Sequence, residues 1–174
     1  PNDRFDAYLS GAYTDGIYER FTDAPCPPEL SGGGSGTPIA APGVPGNSPA
    51  NCDISGQRLP GLSKWSFSWG GEGNLPVTFF GAPGQVYLGV DGNYRSSFSS
   101  NPTPSAYTNV EGYSLLNLRA GVRTDDGLDV FAWVRNALDE EYFEQLAVPS
   151  GNTGLIVGQP GDPRTYGITL RRTF

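Results

Sequence analysis

The stretch Gly161-Asp-Pro-Arg-Thr-Tyr-Gly-Ile-Thr-Leu-Arg-Arg-Thr-Phe174 decides how the chain folds. From Tyr166 onward one parity reads Tyr166, Ile168, Leu170, Arg172 and Phe174. The other reads Gly167, Thr169, Arg171 and Thr173. This period of two describes a strand with one apolar and one polar face, and Arg172 alone interrupts the apolar row. The stretch then stops on an aromatic residue, where a soluble domain more often ends in a frayed polar tail. A membrane barrel accounts for it: a last strand faces lipid on one side and must pair to close the sheet.

Working outward, the same alternation recurs. Phe5, Ala7, Leu9, Gly11 and Tyr13 oppose Asp6, Ser10 and Thr14, with Tyr8 on the polar side. Trp65, Phe67 and Trp69 oppose Lys64, Ser66, Ser68 and Glu72 within Leu62–Glu72. In Gln85–Ser97, Val86, Leu88, Val90 and Tyr94 oppose Tyr87, Asp91, Asn93 and Arg95. In Tyr113–Arg123, Leu116, Leu118, Ala120 and Val122 oppose Asn117, Arg119, Gly121 and Arg123. Leu128–Leu138 is largely apolar on both parities, so its outward side stays open. A turn region is expected around Asn74–Gly84, and Thr124-Asp-Asp-Gly127 reads as a tight hairpin with Gly127 free to take φ > 0.

Six strands result, joined by connections that run long, short, long, short, long. Outer-membrane barrels have this asymmetry, with extended loops outside and short turns on the periplasmic side. About 11 residues span roughly 36 Å, or about 27 Å at a tilt near 40°, the height of the apolar band of such barrels. Six strands do not close a barrel, since about 8 is the minimum. The expected fold is therefore all-β, an antiparallel up-and-down meander forming part of a larger transmembrane barrel.

Composition agrees. Among 174 residues, 25 Gly and 16 Pro cut the chain into short elements, and 21 aromatic residues supply β structure. No run of 18 apolar residues exists, which excludes a spanning helix but not a spanning strand. A net charge of −7, with ten Arg and the single Lys64, argues against nucleic acid as a partner. With no His, Ser-His-Asp and Cys-His catalysis and most zinc sites are excluded, so no enzyme, catalytic residue, metal site or cofactor is expected. Zero Met and Pro1 as first residue mark the chain as an expected fragment of something larger, without a signal peptide.

Between Asp15 and about Pro60 lies a connection with Gly32–Gly36 and no periodicity, and Cys26 and Cys52 sit near its ends. Free thiols are one reading. Pairing is favoured because the only two Cys bracket one flexible segment, and closing it is worth roughly 3–4 kcal/mol on the chain-entropy model. Gly32–Gly36 lacks the strand-then-helix context of a phosphate loop. Asp125-Asp126 is explained by a turn, and Asp139-Glu140-Glu141 by a solvated rim rather than a Ca²⁺ site. Arg95, Arg119 and Arg123 on polar faces form either a basic lumen track or, as favoured, partners for barrel or plug carboxylates. Tyr107, Tyr142 and Phe143 read as interfacial aromatics or ligand contacts, with the interface favoured.

Tyr113-Ser-Leu-Leu-Asn-Leu-Arg-Ala-Gly121, Val134-Arg-Asn-Ala-Leu-Asp-Glu-Glu-Tyr142, and Gly161 to Leu170 with terminal Phe174 resemble the C-terminal end of TonB-dependent outer-membrane receptors. Gly56-Gln-Arg-Leu-Pro-Gly61 before an aromatic strand is also similar. Two positions depart from the family pattern: Arg172, where an aromatic is usual, and Ala137, where a Leu is common. The resemblance implies that residues 1–174 are the C-terminal part of a 22-stranded barrel whose N-terminal plug, and the segment that contacts TonB, lie outside the chain. It implies an active transporter that binds and imports a scarce solute, often a ferric siderophore, also cobalamin, haem or a saccharide, so siderophore and iron transport lead the expectations. Expected partners are outer-membrane lipid, the rest of the barrel and plug, TonB, and a small-molecule ligand such as a metal chelate. The location is the bacterial outer membrane, with long loops extracellular and the C-terminus periplasmic. Tyr166, Ile168, Leu170 and Phe174 would form the C-terminal assembly strand. The ligand contacts are not legible, though the loops at 19–60, 100–112 and 139–163 are where they are expected. A passive porin-like channel and a secreted β-sandwich for binding or adhesion are the alternatives.

Overall fold

The computed structural model describes residues 4–26, 51–102, 105–149 and 155–173. Six long strands form one antiparallel sheet: β1 (Phe5–Tyr13), β2 (Trp65–Phe79), β3 (Ala82–Arg95), β6 (Tyr113–Thr124), β7 (Leu128–Arg135) and β10 (Thr165–Arg172), paired in that order. Four short strands, β4 (Phe98–Ser99), β5 (Asn109–Val110), β8 (Phe143–Ala147) and β9 (Val157–Pro160), make two small hairpins in the connections. The meander is open, with β1 and β10 as its edges.

Register sorts the side chains. Opposed residues share a face, so the pairs Tyr166–Val134, Ile168–Ala132 and Leu170–Val130 continue through Leu118, Ala120 and Val122. From there the row runs through Val90, Leu88 and Val86 to Gly71, Gly73 and Leu75, and on to Ala7 and Phe5. One face is thus apolar across all six strands. Leu9, Ile168 and Leu170 are 79%, 80% and 71% exposed on it. Among the described residues no second sheet covers either face, which a sandwich would require. A contiguous apolar face this large marks contact with lipid or another protein.

The same register settles the outward side of Leu128–Arg135. Val130, Ala132 and Val134 lie on the apolar face, while Asp129, Phe131, Trp133 and Arg135 lie on the polar one.

β2 and β3 run to 15 and 14 residues, beyond the expected strands. The expected turn at Asn74–Gly84 shrinks to Phe80 and Gly81, both at positive φ (48° and 86°), as a two-residue hairpin turn of the primed kind requires. Pro76 is tolerated in β2 for a local reason. The Asn74 amide points at β1, donating to the Arg4 carbonyl, so position 76 faces the same side beyond the end of β1, where no ladder bond is lost. Thr124–Leu128 is a hairpin turn closed by Gly127 N–H to Thr124 C=O at 3.1 Å, with Gly127 at φ 88°.

Both tight turns lie at one end of the sheet and all three long connections at the other. Buried apolar residues are few. Phe98, Val110 and Tyr113 cluster with Leu115, Tyr142 and Leu146 where the second and third long connections meet the sheet.

Candidate functional site: the inner wall and its rim

The polar face carries its charges as a network. Glu72 on β2 meets Arg119 at 3.0 Å and Arg123 at 3.6 Å, both on β6, and Arg123 reaches Asp129 on β7 at 3.7 Å. Tyr87 donates its hydroxyl to Asp129 at 2.9 Å and lies under the Arg123 guanidinium, and Asn117 donates to Asp91 at 2.8 Å. Of the three arginines expected on polar faces, Arg119 and Arg123 therefore serve as carboxylate partners. Arg95 does something else: it donates to Ser63 Oγ and to the Gly61 carbonyl, and stacks over Phe98 at 3.9 Å. Within this network Glu72 and Asp129 balance the guanidiniums of Arg119 and Arg123.

The rim is built by Asn136. Its backbone sits at φ 49°, a region that Asn enters more readily than most residues. Its buried side chain donates to the carbonyls of Glu140 (2.9 Å) and Asp162 (3.1 Å) and accepts from the Glu140 amide. The Asn136 amide donates to Asn117 Oδ1, and Arg164 ion-pairs with Asp139 at 3.1 Å. Gly161 N–H donates to the Tyr142 carbonyl, and a Cβ on Gly161 would fall 2.0 Å from the Tyr142 ring. The three sequence blocks at 113–121, 134–142 and 161–170 thus lock onto one another. Their resemblance to the family pattern was the signal in the sequence; the clasp itself was not legible.

Tyr142 packs tilted against Tyr113 with ring centroids 4.2 Å apart, and burial there pushes its phenol up from the usual range. Tyr107 and Phe143 remain half exposed. Ser100 ties the second connection to the third: its hydroxyl accepts from Leu146 N–H at 2.9 Å and donates to the Leu146 carbonyl. Tyr13, Trp65, Phe67 and Tyr94 form an aromatic row at this end of the apolar face, with neighbouring centroids 4.6, 6.0 and 6.1 Å apart.

In the first connection, Cys26 and Cys52 have Cα atoms 5.0 Å apart with their sulfurs at bonding distance. Ala24 and Cys52 exchange backbone bonds beside them, and Ser55, bonded to Asp53, holds the Phe21 amide. The Ser55 hydrogen bonds keep the Asp53 carboxyl below the usual range. Gly32–Gly36 and Phe174 lie outside the described residues. Asp126 sits in the β6–β7 turn, where the Thr124 hydroxyl bonds it and Arg172 approaches at 3.5 Å. Among the described residues no group of His, Cys, Asp and Glu converges as a metal site.

The family model for the TonB dependent receptor-like β-barrel matches residues 3–137. The chain belongs to that family: it is a piece of an outer-membrane receptor and transporter barrel, not an enzyme. The matched span covers β1 to β7, whereas the blocks that look most specific in the sequence lie largely beyond it. No curated protein and no solved structure matches the chain.

Proposed function

We propose that residues 1–174 form the C-terminal part of a TonB-energised transporter that captures a scarce solute, such as a ferric siderophore, at the cell surface. What supports this is the division of one sheet into an apolar face, broken by Arg172 at the turn end, and a charged inner face, with elaborate, cross-braced connections at a single end. Those connections lie outside the cell, and the tight turns lie in the periplasm. The aromatic row at Tyr13–Trp65–Phe67–Tyr94 then sits at the outer headgroup level, where amphipathic rings collect. An N-terminal plug fills the lumen against the inner wall, and TonB pulls on it. The Cys26–Cys52 pair is oxidised, as an exported loop allows.

Uptake in cells carrying the full gene tests the reading. Accumulation should stop when the proton-motive force is collapsed or TonB is deleted. Accumulation that persists under both conditions identifies a passive channel instead.

A further inference from the structure

We propose that the cavity between the second and third long connections binds an organic ammonium cation; this rests on the receptor reading above for access from outside the cell and adds a ligand class to it.

The cavity forms where the corner at residues 109–113 meets the segment 140–146, and it measures about 340 Å³. Tyr113, Tyr142 and Phe143 give it an aromatic lining, and Glu111, Glu140 and Glu141 bring three carboxylates to it. The register sets Tyr113 opposite Arg95, on the inner side of the sheet, so the cavity lies on the side away from lipid.

Its charge is not neutralised from within. The three glutamate side chains make no ion pair or hydrogen bond with another residue. Residues 96–112 and 136–164 contain six acidic side chains and one basic, Arg164, whose guanidinium is held by Asp139 at 3.1 Å. Arg95 turns into a different cleft, where it donates to Ser63 and to the Gly61 carbonyl and lies over the Phe98 ring. Among the described residues no Lys or Arg lines the cavity. The carboxylates therefore draw in cations and repel anions.

A second observation comes from Tyr113. It is 8% exposed, and its hydroxyl has no hydrogen-bond partner. Buried polar groups are nearly always paired, so this phenol marks the cavity as a place for a donor. Water can complete the phenol but leaves the three carboxylates uncompensated. An ammonium does both: its N–H donates to the phenol oxygen, and its charge faces the glutamates.

The geometry also separates an organic cation from a bare metal ion. Calcium needs six or more oxygens converging at about 2.3–2.6 Å. Among the described residues the acidic side chains do not converge in that way. Carboxylates set apart around aromatic faces suit a cation whose carbon chain lies on the rings while its nitrogen is attracted to their π-faces.

The test titrates the purified full-length receptor, without TonB, against cadaverine, against the uncharged diol of the same chain length, and against calcium chloride. Cadaverine should bind and the diol should not. Glu140→Gln combined with Glu141→Gln should weaken cadaverine about tenfold, the scale of a lost charge-assisted hydrogen bond. Tyr113→Phe keeps the ring and should weaken it about threefold. Glu19→Gln removes an exposed acid from the first connection and should leave binding unchanged. Failure of cadaverine to bind overturns the proposal, as does equal binding of the diol. So does cadaverine binding that survives the glutamate and Tyr113 substitutions, or calcium binding tighter than cadaverine that those glutamates control. Because binding is read without energisation, loss of TonB-dependent uptake would sink the transporter reading and leave this result standing.

Discussion

The side-chain amide of Asn136 donates to the backbone carbonyl of Asp162 at 3.1 Å, joining the end of β7 to the approach to β10 across 26 positions of chain. This bond and its companions to Glu140 hold the third long connection against the sheet.

Replacing Asn136 should therefore loosen that connection more than any exposed loop substitution. Asn136→Leu removes three side-chain hydrogen bonds, leaves the Glu140 and Asp162 carbonyls without that donor and places a branched residue at positive φ. The expected loss is about 3 kcal/mol. Asn136→Asp keeps the acceptor and should fall between. Urea unfolding of the full receptor in detergent, with proteolysis of residues 136–164 as a local readout, measures both. Equal stability of Asn136→Leu and wild type would show that the clasp is decorative.

Trp65 and Trp69 lie on the apolar face, and Trp133 lies on the inner one, where its indole N–H donates to Thr169 Oγ1 at 3.1 Å. Brominated lipid should accordingly quench fluorescence that Trp69→Phe removes and leave untouched the part that Trp133→Phe removes. The reverse pattern would mean that the sheet faces lipid with its charged side.

Arg172 stands in the apolar row but at the turn end, 3.5 Å from Asp126. There its long side chain reaches the headgroup region, so Arg172→Tyr should leave surface levels within twofold. A larger drop in the surface level of the variant receptor would count against that placement.

The Thr124 hydroxyl, and behind it Arg172, holds the Asp126 carboxyl below the usual range. Its folded pKa lies under the unfolded value of ~3.9. The stabilisation is thus present above that value and is lost as pH falls through the folded one. Thr124→Val should shift the acid limb of the stability profile upward by more than Arg172→Tyr does, since the hydrogen bond is the larger cause. Acid-unfolding midpoints of the two variants decide it.

Alkylation should find no free thiol at Cys26 or Cys52 until a reductant is added. Reduction, or Cys26→Ser, should open residues 27–51 to protease, with a loss near ~3 kcal/mol on the chain-entropy model. Ready alkylation of the untreated receptor would establish free thiols.

How much was legible depended on the range of the interaction. Alternation at Trp65–Trp69 and Tyr166–Leu170 is written in adjacent residues, because a pleated strand turns side chains to opposite faces with period two. Strand count, faces and the long–short rhythm followed from it. Phe80-Gly81 escaped notice because the neighbouring Asn74, Pro76 and Pro83 read as breakers, and only the open edge beside β1 makes Pro76 harmless.

By itself, the sequence determined an all-β meander, its short Gly127 turn and its lack of His-based chemistry. The tertiary structure alone decided which face of Leu128–Arg135 turns outward, that Glu72 bridges two arginines, and that Asn136 clasps Asp162. The physical reason is common to all three. Each depends on which residues stand opposite one another across strands or loops, and that register is set by hydrogen bonds between segments far apart in the chain.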